Sequence, residues 1–160
     1  MLGSLNDSEI EEVLSGQYLG RIGCHENDKT YIVPVSYAYD GMYVYVYSKM
    51  GMKIDIMRKN PKICFEVEAL RDMANWKTVI AWGTFEELTN AEERKAALQK
   101  LLQRHLPIVS SKTTHLTPTW PFEPADLNSI EGIVYRINLT EKTGRFERVE
   151  DETTGANAYL

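Results

Sequence analysis

The stretch from Thr30 to Ser48 constrains the fold more than any other part of the chain. It reads T-Y-I-V-P-V-S-Y-A-Y, then Asp40-Gly41, then M-Y-V-Y-V-Y-S. Bulky residues recur with a period of two on both sides of the Asp-Gly pair, the pattern of strands with one face buried. Asp-Gly accepts the positive φ of a tight turn, so the spacing predicts a β-hairpin with a two-residue loop. That loop sets Tyr39 opposite Met42, Tyr37 opposite Val44 and Val35 opposite Val46. On the other face Ser36 falls beside Tyr45 and Pro34 beside Tyr47. Pro34 has no N–H to give to a central ladder, so its strand is expected at an edge or bulged there. Backbone left unpaired in this way is free to meet a ligand.

Further strands are expected over 17–24, 62–69, 77–88 and 132–140, six in all with the hairpin. Three helices interrupt them. Asp7 or Ser8 can cap one that Gly16 ends. A second spans about 51–59 and stops at Asn60-Pro61. The third starts at Thr89 or Asn90, each with a glutamate three residues on, and carries Leu98, Leu101, Leu102 and His105 as its inner stripe. Strand–helix alternation is absent, so the expected class is mainly β with peripheral helices. Six antiparallel strands hide their edges most simply by closing into a small barrel. Nine tyrosines against four phenylalanines suggest a tyrosine-rich outer wall that serves a ligand or a dimer interface. Residues 1–150 read as one domain and 151–160 as a polar, frayed tail. The proline-rich stretch from Pro107 to Ser129 is irregular, and Trp120 and Phe122 within it suggest docking on something.

The formal net charge of −5 argues against nucleic acid as a partner, since phosphate backbones need a basic face. No apolar run is long enough to span a bilayer, and the start carries no basic flank with an apolar run behind it. A cytoplasmic address without membrane association is therefore expected. Cys24 and Cys64 make neither a disulfide framework nor a zinc quartet. Cys24-His25 is rejected as a nucleophile–base pair because neighbouring strand residues face opposite ways. Cys64 and Trp82 are expected in the core, and the three histidines on surfaces or rims. Glu66 and Glu68 share one strand face: facing inward they would polarise a ligand or pair with Lys77 or Arg136, and facing outward they are solvated.

The segment Tyr47-Ser48-Lys49-Met50-Gly51-Met52-Lys53 is the most informative for chemistry. A strand delivers a hydroxyl at Ser48 just before a helix begins, and helix N-termini offer free N–H groups and partial positive charge to phosphate. Gly51 permits close backbone approach, and Lys49 and Lys53 supply charge. The alternative is a capped helix with solvated lysines.

Taken in order, Gly20-Arg-Ile-Gly23, Tyr31 to Gly41, Ser48 to Lys53, Asn60 to Val67 and Trp76-Lys-Thr-Val79 resemble the pyridoxamine 5′-phosphate oxidase-like, FMN-binding split-barrel proteins. Within that group the chain is most similar to the flavin-binding relatives of Nim-type (nitroimidazole-resistance) reductases. The resemblance implies a six-stranded split barrel that forms a homodimer, with FMN held at the subunit interface. By position, Ser48, Lys49 and Lys53 would bind the phosphate, with Tyr47 and Gly51 beside them. Val33, Pro34, Val35 and Ser36 would line the isoalloxazine, Lys77 and Thr78 would contact ring or ribityl, and Arg21 would lie close. Trp120 is expected over the flavin of either subunit from its odd placement in the proline-rich loop alone, not from the resemblance. The implied activity is a small flavin-dependent oxidoreductase with a small-molecule electron donor or acceptor such as NAD(P)H. A non-catalytic flavin-binding or storage module, or a barrel holding haem or a deazaflavin, are the alternatives. Tyr47-Ser48-Lys49 departs from the His-Ser-Ala of many Nim-type relatives, and the C-terminal substrate signature of the vitamin B6 enzymes is not found. Neither nitroimidazole reduction nor vitamin B6 synthesis is implied.

Overall fold

The computed structural model describes residues 1–104, 106, 127 and 130–149. In chain order the elements are β1 (Leu2–Ser4), α1 (Asp7–Gly16), β2 (Leu19–Glu26), β3 (Lys29–Tyr39), β4 (Tyr43–Ser48), α2 (Met52–Lys59), β5 (Lys62–Asp72), β6 (Asn75–Glu87), α3 (Ala91–Gln103) and β7 (Ile133–Glu147). The strands run β1-β7-β4-β3-β2-β5-β6, and β6 pairs back onto β7. Six strands thus close into the expected antiparallel barrel, with β1 added to β7 as a short seventh. Closure needs a bend, and it falls at Trp82/Gly83, where the β6–β7 register shifts. A Cβ on Gly83 would lie 2.3 Å from the Asn138 carbonyl oxygen, so only glycine lets the strands approach there.

Inward-pointing Ile22, Tyr37, Val44, Val46, Phe65, Val67, Val79 and Ile137 fill the barrel, with Val13 and Leu14 of α1 and Ile54 and Met57 of α2 packed onto them. Each such side chain contributes roughly 1.5–3 kcal/mol when fully buried. Tyr37 meets Phe65 edge-on at 5.1 Å and donates its hydroxyl proton to the Leu14 carbonyl at 2.7 Å, which fastens α1 to the core. A second cluster lies outside the barrel, where Ala97, Leu98 and Leu101 of α3 cover Ala38, Tyr45 and Val134.

Several expectations are corrected. The hairpin turn is centred one residue later, on Gly41-Met42. Asp40 clamps it, its Oδ1 accepting from the N–H of Met42 (3.0 Å) and of Tyr43 (2.8 Å). Tyr37 therefore pairs with Val46 and Tyr39 with Val44, and because the slip is two residues every side chain keeps its face. Asn6, not Asp7 or Ser8, caps α1, in a reciprocal capping box with Glu9. β7 continues well past Thr140. The tyrosine wall is not an open surface: Tyr37 and Tyr135 are core, and Tyr45 is buried beneath α3 of the same chain. Trp82 is 40% exposed and Cys64 is half-buried on the outer sheet face, so neither is core. The tail from residue 150, His105 and Trp120 lie outside the described residues.

Candidate functional site

α3 covers only the hairpin end of the outer sheet face. Along β3, Ala38 is buried beneath it, Ser36 is half-buried, and Pro34 is exposed. The Tyr37 N–H donates to the Tyr18 carbonyl at 3.0 Å, so odd residues of β3 bond to β2 and even ones turn away from it. On that other side β4 meets β3 only from Tyr37 to Tyr39. The backbone of Pro34 and Ser36 consequently faces open space, as the missing proline N–H led us to expect.

That space is a cleft of about 260 Å³, lined by Pro34, Val35, Ser36, Tyr47, Ser48, Lys49, Lys53, Leu101 and Arg104. Among the described residues, no carboxylate lines it. β4 brings Ser48 to its floor, buried to 7% exposure, with its hydroxyl donating to the Lys49 carbonyl at 2.8 Å. Tyr47 closes one side, its hydroxyl donating to the Glu131 carbonyl at 2.6 Å. Gly132 makes room for that ring: its φ is +117°, and a Cβ there would sit 2.8 Å from it.

The start of α2 completes the cleft. No side chain caps it, and a Cβ at Gly51 would meet nothing within 4 Å. The Ile54 N–H already donates to the Gly51 carbonyl at 3.0 Å, and the N–H groups ahead of it, which no side chain caps, keep their capacity for an anion. Lys53 is half-buried, and burial pulls its pKa below the ordinary lysine value while the nearby Cys24 pushes it up. Among the described residues it forms no ion pair, whereas Lys59, Lys77, Lys100 and Lys142 each do.

Arg104, just beyond α3, was not singled out in the sequence. Its Nη1 donates to Ser36 Oγ (2.7 Å) and to the Tyr37 carbonyl (3.1 Å), and burial lowers its pKa to about 10. Its Nε is buried without a partner, an arrangement that costs about 1–3 kcal/mol. Nothing in the local sequence marks it, because a basic residue after a helix is an ordinary end to the macrodipole.

The other predicted residues lie elsewhere. Arg21 stands opposite Pro34 across the β2–β3 ladder, one strand from the cleft wall. Its guanidinium turns away to Glu66 (3.1 Å) and Glu68 (2.9 Å), which supplies the partner for both carboxylates. Thr78 donates to Glu66 at 3.1 Å. Lys77 lies 3.9 Å from Glu12 and Arg136 pairs with Glu86, so neither serves Glu66 or Glu68. Val33 packs inward against the core. A larger cleft of about 750 Å³ opens on the outer sheet face between Arg21, Ile32, Cys64 and Trp82, and no helix of the described residues covers it.

A family model described as pyridoxamine 5′-phosphate oxidase matches residues 6–146 of the chain. The chain belongs to this family. An uncharacterised protein of Rhizobium meliloti is 36% identical over 149 residues, covering 88% of this chain and 92% of the relative. The crystal structure of an FAD-binding protein from Mesorhizobium loti superposes with a TM-score of 0.68 at 27% identity, over 91% of this chain and 98% of that one. A putative 5-nitroimidazole antibiotic resistance protein from Bacteroides thetaiotaomicron superposes with a TM-score of 0.69 over 91% of this chain and 87% of that one. At 16% identity the latter establishes the fold alone. These two solved structures share the closed barrel described above with this chain. No described helix is long and apolar enough to cross a membrane.

Proposed function

We propose that this chain binds FMN in the cleft between β3, the β4–α2 turn and α3, and acts as a small flavin-dependent oxidoreductase. One observation carries the reading: a half-buried Lys53, without an ion pair among the described residues, faces a cleft that no described carboxylate lines, beside a helix N-terminus without a side-chain cap. That donor set fits a phosphate monoester, and the open backbone at Pro34–Ser36 fits the hydrogen-bonding edge of a planar ring. Lys49, Lys53 and the first turn of α2 would hold the phosphate, while Ser36 and the backbone from Val33 to Ser36 would orient the ring. Ser48 shapes the floor, and Tyr47 keeps water from one side. Bound flavin would supply hydride and electron chemistry. The chain's part is to bind, orient and limit access, and no dedicated acid–base residue is required of it.

We assign a second copy of the chain to the outer sheet face. Ile32 is 67% exposed there and Trp82 40%, and they border the larger cleft with few polar atoms between them. Obligate homodimer interfaces are built from apolar surface of this kind. Arg21 and Thr78 belong to that face, so their contribution to flavin binding depends on the second subunit.

The test is the absorption spectrum of freshly purified protein, followed by titration of the apoprotein with FMN, FAD and riboflavin. FAD tighter than FMN would align this chain with the Mesorhizobium relative. A Soret band, or no saturable binding of any flavin, would refute the reading. Anaerobic addition of NADH or NADPH then asks whether bound flavin is reduced; bleaching by neither donor would leave a storage module.

A further inference from the structure

The cleft contains a cation that neither sequence nor family resemblance singled out. We infer that Arg104 is a third phosphoryl-binding group, which meets the ligand's phosphate from the α3 side as Lys53 does from α2. This rests on the proposed flavin site and names the residue that sets its preference for phosphorylated flavins.

Three observations carry it. Arg104 lines the same small cleft as Lys49 and Lys53, and among the described residues no carboxylate lines it to neutralise any of them. Three of the other arginines, Arg21, Arg58 and Arg136, are each engaged by glutamates, and Arg94 is spent on the carbonyls of Ile130 and Gly132. Arg104 instead uses one nitrogen, Nη1, on Ser36 and Tyr37. Its Nε has no acceptor.

The chemistry of that arrangement is specific. Nε and Nη2 form the side edge of the guanidinium, the edge that takes two oxygens of one carboxylate or phosphate in a planar fork. Fastening Nη1 to β3 fixes the plane of the group and leaves that edge uncommitted among the described residues. Because Nε is shielded, Nη2 leads the contact and a small rotation of the side chain brings Nε to the second oxygen. A carboxylate would neutralise one of the three cations, whereas a phosphate dianion matches more of the charge and can also accept from the start of α2. The anchored Ser36 belongs to the strand proposed to carry the ring, so Arg104 ties the phosphate end of the site to its ring end.

The test compares the full-length wild type with Arg104→Met and Arg104→Lys. Inorganic pyrophosphate comes first, in a thermal-shift titration against sodium chloride of equal ionic strength, because it needs no flavin. The wild type should be stabilised by pyrophosphate beyond the chloride control, and Arg104→Met should lose at least half of that shift. Next, the ratio of FMN to riboflavin affinity is measured by flavin fluorescence quenching. It should fall at least tenfold in Arg104→Met and less in Arg104→Lys, which keeps the charge but loses the fork. A ratio within threefold of wild type in Arg104→Met overturns the assignment and makes Arg104 a brace for Ser36. A wild type that answers to pyrophosphate through Arg104 yet binds no flavin refutes the flavin reading and leaves the phosphoryl site standing. Should Arg104→Met fail to fold, Arg104→Lys and Arg104→Gln carry the same ratio test.

Discussion

Replacing Lys53 with alanine should strip the protein of FMN while sparing its fold. Lys53 reaches the cleft from the second residue of α2, and among the described residues it has no carboxylate partner to leave stranded. What the substitution removes is one charge-assisted contact to phosphate, worth about 1.5–3 kcal/mol. At about 1.4 kcal/mol per tenfold, the dissociation constant for FMN should rise about 10- to 150-fold. Riboflavin has no phosphate, so its affinity should change by less than about twofold on the same reasoning. The apoprotein should melt no lower than wild type, because burial already holds the Lys53 ammonium below its ordinary pKa and its loss removes a desolvation penalty. Lys53→Arg keeps a cation at the same place and should recover part of the FMN affinity. Fluorescence quenching gives both dissociation constants, and differential scanning fluorimetry gives the melting temperatures. Stoichiometric FMN retained by Lys53→Ala, or an equal loss of riboflavin, would refute the placement of the phosphate.

Other consequences follow from the same structure. Ile32→Glu puts a charge on the open sheet face and should convert a dimer to a monomer in sedimentation velocity, which a monomeric wild type or a dimeric variant would contradict. Tyr135 buries a hydroxyl without a partner, so Tyr135→Phe should stabilise the protein by about 1 kcal/mol against urea; a lower midpoint would show that the hydroxyl is needed. Burial raises Tyr37 and Tyr45 above the ordinary tyrosine value of 10.0, with the Asp40 carboxylate adding to the effect on Tyr45. Above that pH the unfolded chain gives up these protons and the folded chain keeps them, so the native state binds more protons. The stability they contribute is full below about pH 10 and is lost as pH climbs toward the raised values. Urea unfolding from about pH 8 to 11 should show that decline, and Tyr37→Phe should flatten it. Parallel slopes in the two proteins would disprove the attribution.

The local determinants were legible without coordinates. Alternation along 30–48 determined the hairpin and which side chains share a face, because strand periodicity is a property of the backbone itself. Asn60-Pro61 and the capping spacing at Asn90 likewise bounded α2 and α3 through short-range backbone chemistry, and Pro34 announced an unpaired edge. The segment from Ser48 to Lys53 was legible as a strand end followed by a helix start for the same reason: its groups are close along the chain. What the sequence could not contain was anything set by contacts distant along the chain. The turn moved one residue because Asp40 found two amides to accept from. Tyr45 of β4 became interior because α3 folded over it, and Trp82 and Cys64 became surface because no described helix covers them. Arg21 was drawn from the cleft by Glu66 and Glu68, some 45 and 47 residues away. Arg104 joined the cleft from a position 68 residues beyond Ser36. The strand pattern and the turn from β4 into α2 are local and belong to the sequence. The membership of the cleft is a matter of which cations find carboxylates and which do not, and the tertiary structure alone decides that.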